Sequence, residues 1–195
     1  MYKKYIKRIL DIIVSIIILL ILFPIYLFIG ICIKLIDRDN VLYIQKRTGK
    51  CGKIFNIYKF KTMKNGQTTK LGKFLKDTSL DELPQLYNVL KGDMSIVGPR
   101  PWIPDYYERF SEKQKNRNKE RPGLVGLAQV NGRNKISIIE KIDYDLYYIE
   151  HISLKLDMSI LLKSFAVVFK RDGIKVNEEY IRNELEKLEK INDIK

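Results

Sequence analysis

Histidine occurs once in this chain, at His151, and cysteine twice, at Cys32 and Cys51. A catalytic triad built on imidazole, or a metal site of several histidines, has nothing to build on. With one cysteine in an apolar segment and the other in a polar turn, the sequence offers no disulfide framework and fits a reduced cytosolic setting. Neither a Walker-type loop nor a G-x-G-x-x-G fingerprint is present, which removes two familiar nucleotide cradles. Internal repeats and low-complexity segments are also missing. Negative charge is scarce: 36 Lys and Arg against 23 Asp and Glu leave a formal net charge of +13. That balance suits an anionic partner, whether lipid headgroups, diphosphates or nucleic acid. A chain of 195 residues is long enough for one domain with its own core and too short for two large ones.

The apolar residues are concentrated at the start. Residues 12–33 carry no charged side chain, and as one helix they would cross roughly 30 Å of hydrocarbon. The run is too long for a secretory signal peptide and lacks a small-x-small cleavage site. Lys3, Lys4, Lys7 and Arg8 hold the N-terminus on the cytoplasmic side. A straight span would then export a strongly basic remainder. Pro24 removes a helical hydrogen bond in mid-run and favours a bend, with Ser15 and Tyr26 the hydroxyls near enough to help satisfy freed backbone groups. The expectation is a helix that returns to its entry face, with an ordinary Pro-kinked transmembrane helix as the alternative.

Beyond it the pattern mixes α and β. Residues 41–45 and 54–60, joined through Gly49 and Gly52, read as a β-hairpin. A helix is expected over about 79–90, stopped by Gly92. Ser137 and Glu140 have capping-box spacing and open a helix to about residue 151. Another apolar helix covers 157–171 with Gly173 as its stop, and residues 177–190 form a charged helix laced with Glu/Lys pairs. Residues 102–110, 136–150 and 157–169 interleave apolar and charged groups, and such helices either lie in a membrane interface or bury a stripe in the core. At least one is expected to touch lipid. The fold class is α+β: a single membrane-associated catalytic domain with an N-terminal re-entrant helix hairpin, a small β-hairpin and several amphipathic interfacial helices. Its parts are the membrane helix at 1–36, the catalytic domain at 37–173 and the C-terminal charged helix at 174–195.

The chemistry centres on Ser79-Leu80-Asp81-Glu82-Leu83-Pro84-Gln85. Adjacent carboxylates can hold a divalent metal and offer an oxygen nucleophile to phosphorus. Plain capping competes, because Ser79 and Glu82 also have the S-x-x-E spacing. Capping explains Asp81 least. Arg100 lies between Pro99 and Pro101, which would steady its fork for a phosphate, unless it is only a surface arginine in a turn. Arg121 and Arg133 adjoin Gly or Pro, as loops that approach an anion do.

Tyr58-Lys59-Phe60-Lys61-Thr62-Met63, Asp81-Glu82-Leu83-Pro84-Gln85, Gly92-Asp93-Met94-Ser95, Gly98-Pro99-Arg100-Pro101 and residues 126–134 together resemble the bacterial sugar transferases, the monotopic phosphoglycosyl transferases. The motifs run in order from about residue 1 to about 173, and the chain is most similar to the short, single-domain members. The resemblance implies transfer of a sugar 1-phosphate from a UDP-sugar to polyprenyl (undecaprenyl) phosphate with release of UMP, the first membrane step of glycoconjugate assembly. It implies Asp81 as nucleophile, forming a phosphosugar-aspartate, and Glu82 as its partner, the two acids holding Mg²⁺. It also implies substrate-binding roles for Lys59, Arg100, Arg121, Gln129, Arg133 and Asp157. Residue by residue, Lys59 could instead be a solvated strand position and Asp157 a helix N-cap. Lys76 stands where the family commonly has arginine, and Phe23-Pro24 replaces the usual Ser-Pro break. The expected place is the bacterial inner (plasma) membrane, with the catalytic domain on the cytoplasmic face among inner-membrane lipids. No nucleic-acid partner is expected, and the charged C-terminal helix offers a surface for a homodimer.

Two other functions stay open from sequence alone. A membrane-tethered basic module binding lipid or nucleic acid would explain the charge, but not the acidic pair beside a Gly-Pro-Arg-Pro turn. A membrane diphosphate hydrolase would use the same phosphate-binding parts.

Overall fold

The computed structural model describes residues 1–132 and 136–169. Arg133 and the charged helix expected at 174–195 lie outside the described residues, as does the end of the proposed catalytic domain. Helix α1 spans Lys7–Cys32, with wider π-type turns at Tyr2–Ile6 and Ile33–Asp37. Pro24 sits inside α1 without ending it. Nor does Tyr26 serve a break there: its hydroxyl donates to the Leu83 carbonyl, and Ser15 Oγ is buried with no partner.

Strands β1 (Leu42–Thr48) and β2 (Ile54–Phe60) form the expected antiparallel hairpin, with β1 ending three residues later than its aromatic and β-branched stretch suggested. A short ribbon of β3 (Met63–Lys64) and β4 (Gln67–Thr68) leads into α2 (Lys70–Asp77), capped by Thr69 Oγ1. The expected single helix over 79–90 is instead two pieces. Leu80–Glu82 is a 3₁₀ turn, and α3 occupies Gln85–Lys91, closed by Gly92 at φ 96°. Ser79 adopts φ 58°, a left-handed conformation in which its side chain makes no cap bond. The Ser79–Glu82 capping box is therefore absent.

A parallel pair, β5 (Ser95–Val97) with β6 (Gly123–Val125), brings the Gly98–Pro101 turn against residues 121–126. Glycine is required there: a Cβ on Gly123 would lie 2.1 Å from the Gly98 nitrogen. Short helices α4 (Pro104–Glu108), α5 (Glu112–Lys115) and α6 (Leu127–Asn131) precede α7 (Ile138–Glu150), which opens on the expected Ser137–Glu140 capping box. Helix α8 (Leu154–Phe169) begins earlier than the sequence suggested, placing Asp157 inside its first turn. Ser153 Oγ accepts from Leu156 N, so Asp157 is not the cap.

The main core gathers Ile57, Val89, Met94, Ile96, Val97, Leu127, Tyr148, Ile149 and Ile160. A second cluster joins Ile29 and Ile33 to Phe60 and Leu75. The amphipathic 102–110 stretch turns inward, Trp102, Tyr106, Tyr107 and Phe110 packing with Ile138 and Ile142 of α7. By contrast, Leu154, Met158, Leu162 and Phe165 form an exposed stripe along α8. Most of α1 between residues 16 and 28 exposes large apolar side chains too.

Candidate active site

The 3₁₀ turn at Leu80–Glu82 presents two adjacent carboxylates to unlike surroundings. Glu82 Oε1 accepts from Lys59 Nζ on β2 at 2.8 Å and from Arg100 NH2 at 2.7 Å, while Arg100 NH1 lies 3.4 Å from Oε2. Burial by itself would raise this carboxyl, but the charges of Arg100 and Lys59 and their hydrogen bonds outweigh it and hold Glu82 well below the usual carboxylate range. Lys59 is thus no solvated strand position, and Arg100 no idle surface arginine.

Asp81 is only 9% exposed, yet its carboxylate oxygens accept no hydrogen bond from the described residues. Burial first, then the neighbouring Glu82 charge, push it up to about 6 against the opposing pull of Lys59, Arg100 and Lys76. A carboxylate with that value is ionised near neutral pH and more basic than an exposed aspartate. Its lone pairs are uncommitted. Magnesium favours one or two carboxylates completed by waters and substrate phosphates, and the open Asp81 carboxylate beside Glu82 fits that demand. No group of three acidic, His or Cys side chains suited to a metal occurs among the described residues.

Arg100 is fixed by a buried framework that sequence reasoning missed. Arg117 NH2 donates to the Arg100 carbonyl at 2.7 Å, and its Nε and NH2 bond Asp145 Oδ2 at 3.0 and 2.6 Å. The Arg117 guanidinium stacks 4.7 Å from the Trp102 ring centre. In sequence Arg117 stands in a polar, charged stretch with no apolar period to mark it as core. Asn88 is another unforeseen buried tie, taking Tyr58 N and giving to Asn56 O, which clamps α3 to β2 beside Lys59.

The remaining candidates scatter. Gln129 folds back toward Leu124 O at 3.5 Å, next to Gly126 and the Arg100 backbone. Arg121 Nε donates to Gly92 O, near Arg8 and apart from the acidic pair. Asp157 accepts from Tyr2 OH and Lys7 Nζ, both at 2.6 Å, and from Tyr148 OH at 2.7 Å. Those bonds commit it to clasping the start of the N-terminal helix. Arg47 on β1, which the sequence did not single out, lies close enough to feel both Arg100 and Glu82.

This site lies in a chain with close counterparts. The bacterial sugar transferase family matches residues 2–171. The sugar transferase EpsL of Bacillus subtilis is 39% identical over 86% of this chain and 89% of its own length. The UDP-glucose:undecaprenyl-phosphate glucose-1-phosphate transferase of Klebsiella pneumoniae is 42% identical, covering 84% of this chain and 39% of that protein. The undecaprenyl-phosphate galactose phosphotransferase of Salmonella typhimurium is 36% identical over 88% of this chain and 42% of that one. The chain thus spans about two fifths of the length of several relatives it matches. With a match that runs through nearly all of the described residues, this chain belongs to the bacterial sugar transferase family.

Proposed function

We propose that this protein transfers a sugar 1-phosphate from a UDP-sugar to polyprenyl phosphate, working through a covalent intermediate on Asp81. A buried, ionised carboxylate with free lone pairs beside a second carboxylate already neutralised by two cations is the observation that carries this reading. Asp81 attacks the sugar-side phosphorus of the diphosphate. The bond from that phosphorus to the bridging oxygen breaks, and UMP leaves with the electron pair. An oxygen of polyprenyl phosphate then attacks the same phosphorus, and the acyl-phosphate bond to Asp81 breaks, giving polyprenyl-diphosphate-sugar and the free aspartate. Arg100, held by Glu82 and by Arg117 through its own carbonyl, meets the phosphoryl charge that spreads in each step. Bound Mg²⁺, on Asp81 with help from Glu82, would neutralise the diphosphate oxygens. The names of the Klebsiella and Salmonella relatives support the donor and acceptor classes.

A lipid acceptor needs a site at the bilayer surface. Arg8 donates to the carbonyls of Val89 and Leu90, and Tyr26 to that of Leu83, so both halves of α1 grip the same short stretch around α3. In a straight helix Arg8 and Tyr26 would be about 27 Å apart, against about 10 Å from Leu83 to Val89. A bend within α1 shortens that span and supports a helix that returns to its entry face, with Pro24 as the expected break. It also leaves the exposed apolar middle of α1 in hydrocarbon and the α8 stripe in the interface. Both flanks are then cytoplasmic, on the side where nucleotide sugars are found.

Purified protein in lipid bilayers, given a panel of UDP-sugars with Mg²⁺, tests the reading by UMP release. Rapid turnover that depends on polyprenyl phosphate is expected with at least one sugar. Continuous turnover without the lipid would indicate a diphosphate hydrolase instead.

A further inference from the structure

Arg47 is a half-buried cation without a counterion of its own. Its guanidinium makes one hydrogen bond, NH2 to Gln45 Oε1 at 2.6 Å, and its Nε is buried with no partner. No ion pair to it occurs among the described residues. A planar fork with five donors is poorly served by one neutral acceptor.

Backbone geometry puts this group on the sheet face that carries a partner of the acidic pair. In the β1–β2 register Tyr43 faces Lys59 and Arg47 faces Phe55. Alternation along a strand therefore puts Arg47 on the same sheet face as Lys59, the residue that holds Glu82. One residue on, Thr48 N donates to Trp102 O at 2.8 Å, which pins the end of β1 to the turn carrying Arg100. Arg47, Lys59 and Arg100 thus lie on neighbouring parts of the fold, with Asp81 and Glu82 the acidic groups beside them. The charge of Arg100 opposes that of Arg47, while Glu82 is already shared by Lys59 and Arg100. Such an arrangement is relieved by an added anion.

We propose that Arg47 binds the leaving, nucleotide-side phosphate of the UDP-sugar and stabilises the charge that develops on UMP. The proposal rests on the transfer reaction above and adds a position within it. Along β1, Arg47 lies four residues beyond Tyr43, the partner of Lys59, and so about 13 Å along the sheet from the strand position that holds Glu82. In-line displacement places the leaving oxygen opposite the attacking one. On this proposal a sugar-side phosphorus within reach of Asp81, near Lys59 and Arg100, directs its leaving phosphate toward Arg47. Its contribution falls in the first half-reaction alone, because UMP is gone before the lipid phosphate attacks.

Arg47→Gln and Arg47→Lys separate this role from a structural one. With UDP-sugar and Mg²⁺ but no lipid, single-turnover release of UMP should slow about 100-fold in Arg47→Gln and less in Arg47→Lys, which keeps the charge but not the fork. The UMP concentration that gives half-maximal product inhibition should rise at least about tenfold in Arg47→Gln. Phosphosugar-enzyme accumulated slowly by either variant, then chased with polyprenyl phosphate, should discharge within about threefold of the wild-type rate. Equal slowing of both half-reactions would assign Arg47 to packing and overturn the proposal. Unchanged UMP inhibition would overturn it too. If Arg47→Gln fails to fold, the same three readings on Arg47→Lys decide. A wild-type protein that releases no UMP from any UDP-sugar defeats the transfer reading itself, whereas an active wild type matched by both variants defeats only the role of Arg47.

Discussion

The clusters around Asp157 and around Asp81 each pair an acidic residue with a lysine, and they serve opposite ends. Around Asp157, every polar group has a partner: Tyr2, Lys7 and Tyr148 supply three short hydrogen bonds, and the result is a clasp on the N-terminal helix. Around Asp81 the satisfaction is uneven. Glu82 takes Lys59 and Arg100, and the adjacent aspartate is left buried and bare. A carboxylate saturated with protein donors holds structure, and one left unsaturated in a half-dry setting retains the lone pairs that chemistry needs.

The largest effect that sharpens this contrast is at Asp81. Asp81→Asn should lower transfer by at least about 1,000-fold, because an amide cannot form the acyl phosphate. The same change should stabilise the fold at pH 8 by about 1–3 kcal/mol, by removing a charge that burial and Glu82 disfavour. Because the folded-state value is raised to about 6, the gain is fully present above pH 6 and fades as pH falls toward about 4, the exposed-aspartate value. Thermal melts across that range, read beside activity, check both signs. A variant both inactive and destabilised at pH 8 would place Asp81 with the structural carboxylates.

Next comes the Arg117–Asp145 framework. Asp145→Asn should cost about 3–5 kcal/mol, since it strands a fully buried guanidinium. Activity should fall with it, because the Arg100 carbonyl loses its steady donor. Denaturant unfolding measures the first effect, and the second should appear as a raised KM for UDP-sugar in the fraction that folds.

Asp157→Asn is expected to act through the clasp alone. Loss of charge-assisted bonds should lower stability by about 1–3 kcal/mol. The remaining activity should keep the wild-type pH profile, and label from UDP-sugar should still fall on Asp81. A shifted profile would place Asp157 in the reaction.

The smallest effect is on pH dependence in the wild type. Below about pH 6 the first half-reaction should slow, approaching tenfold per unit as Asp81 takes up its proton. Glu82, held down by Arg100 and Lys59, should not titrate in that range. A rate independent of pH between 5 and 7 would contradict the bare-carboxylate description.

Much of this was legible in the residues. The hairpin, the Ser137 cap, the Gly92 stop and the acidic pair rest on local signals: alternation, spacing and turn chemistry. The failures were tertiary. Ser79 and Glu82 have capping spacing, yet two distant cations claim Glu82 and Ser79 turns left-handed. Arg117 and Arg47 were not singled out, because nothing local reports that an arginine will be buried under Trp102 or brought near Arg100 by a strand. Asp157 was expected from sequence to bind substrate, whereas its partners in the fold, Tyr2 and Lys7, lie some 150 positions away.

The most direct measurement of the central claim is covalent labelling before the lipid arrives. Protein incubated with a labelled UDP-sugar and Mg²⁺, but no polyprenyl phosphate, is quenched and its peptides are mapped by mass spectrometry. The account predicts one sugar-phosphate adduct, on Asp81, formed together with released UMP and discharged when polyprenyl phosphate is added. UMP release that starts only with the lipid, while Asp81 stays unmodified throughout, would contradict it.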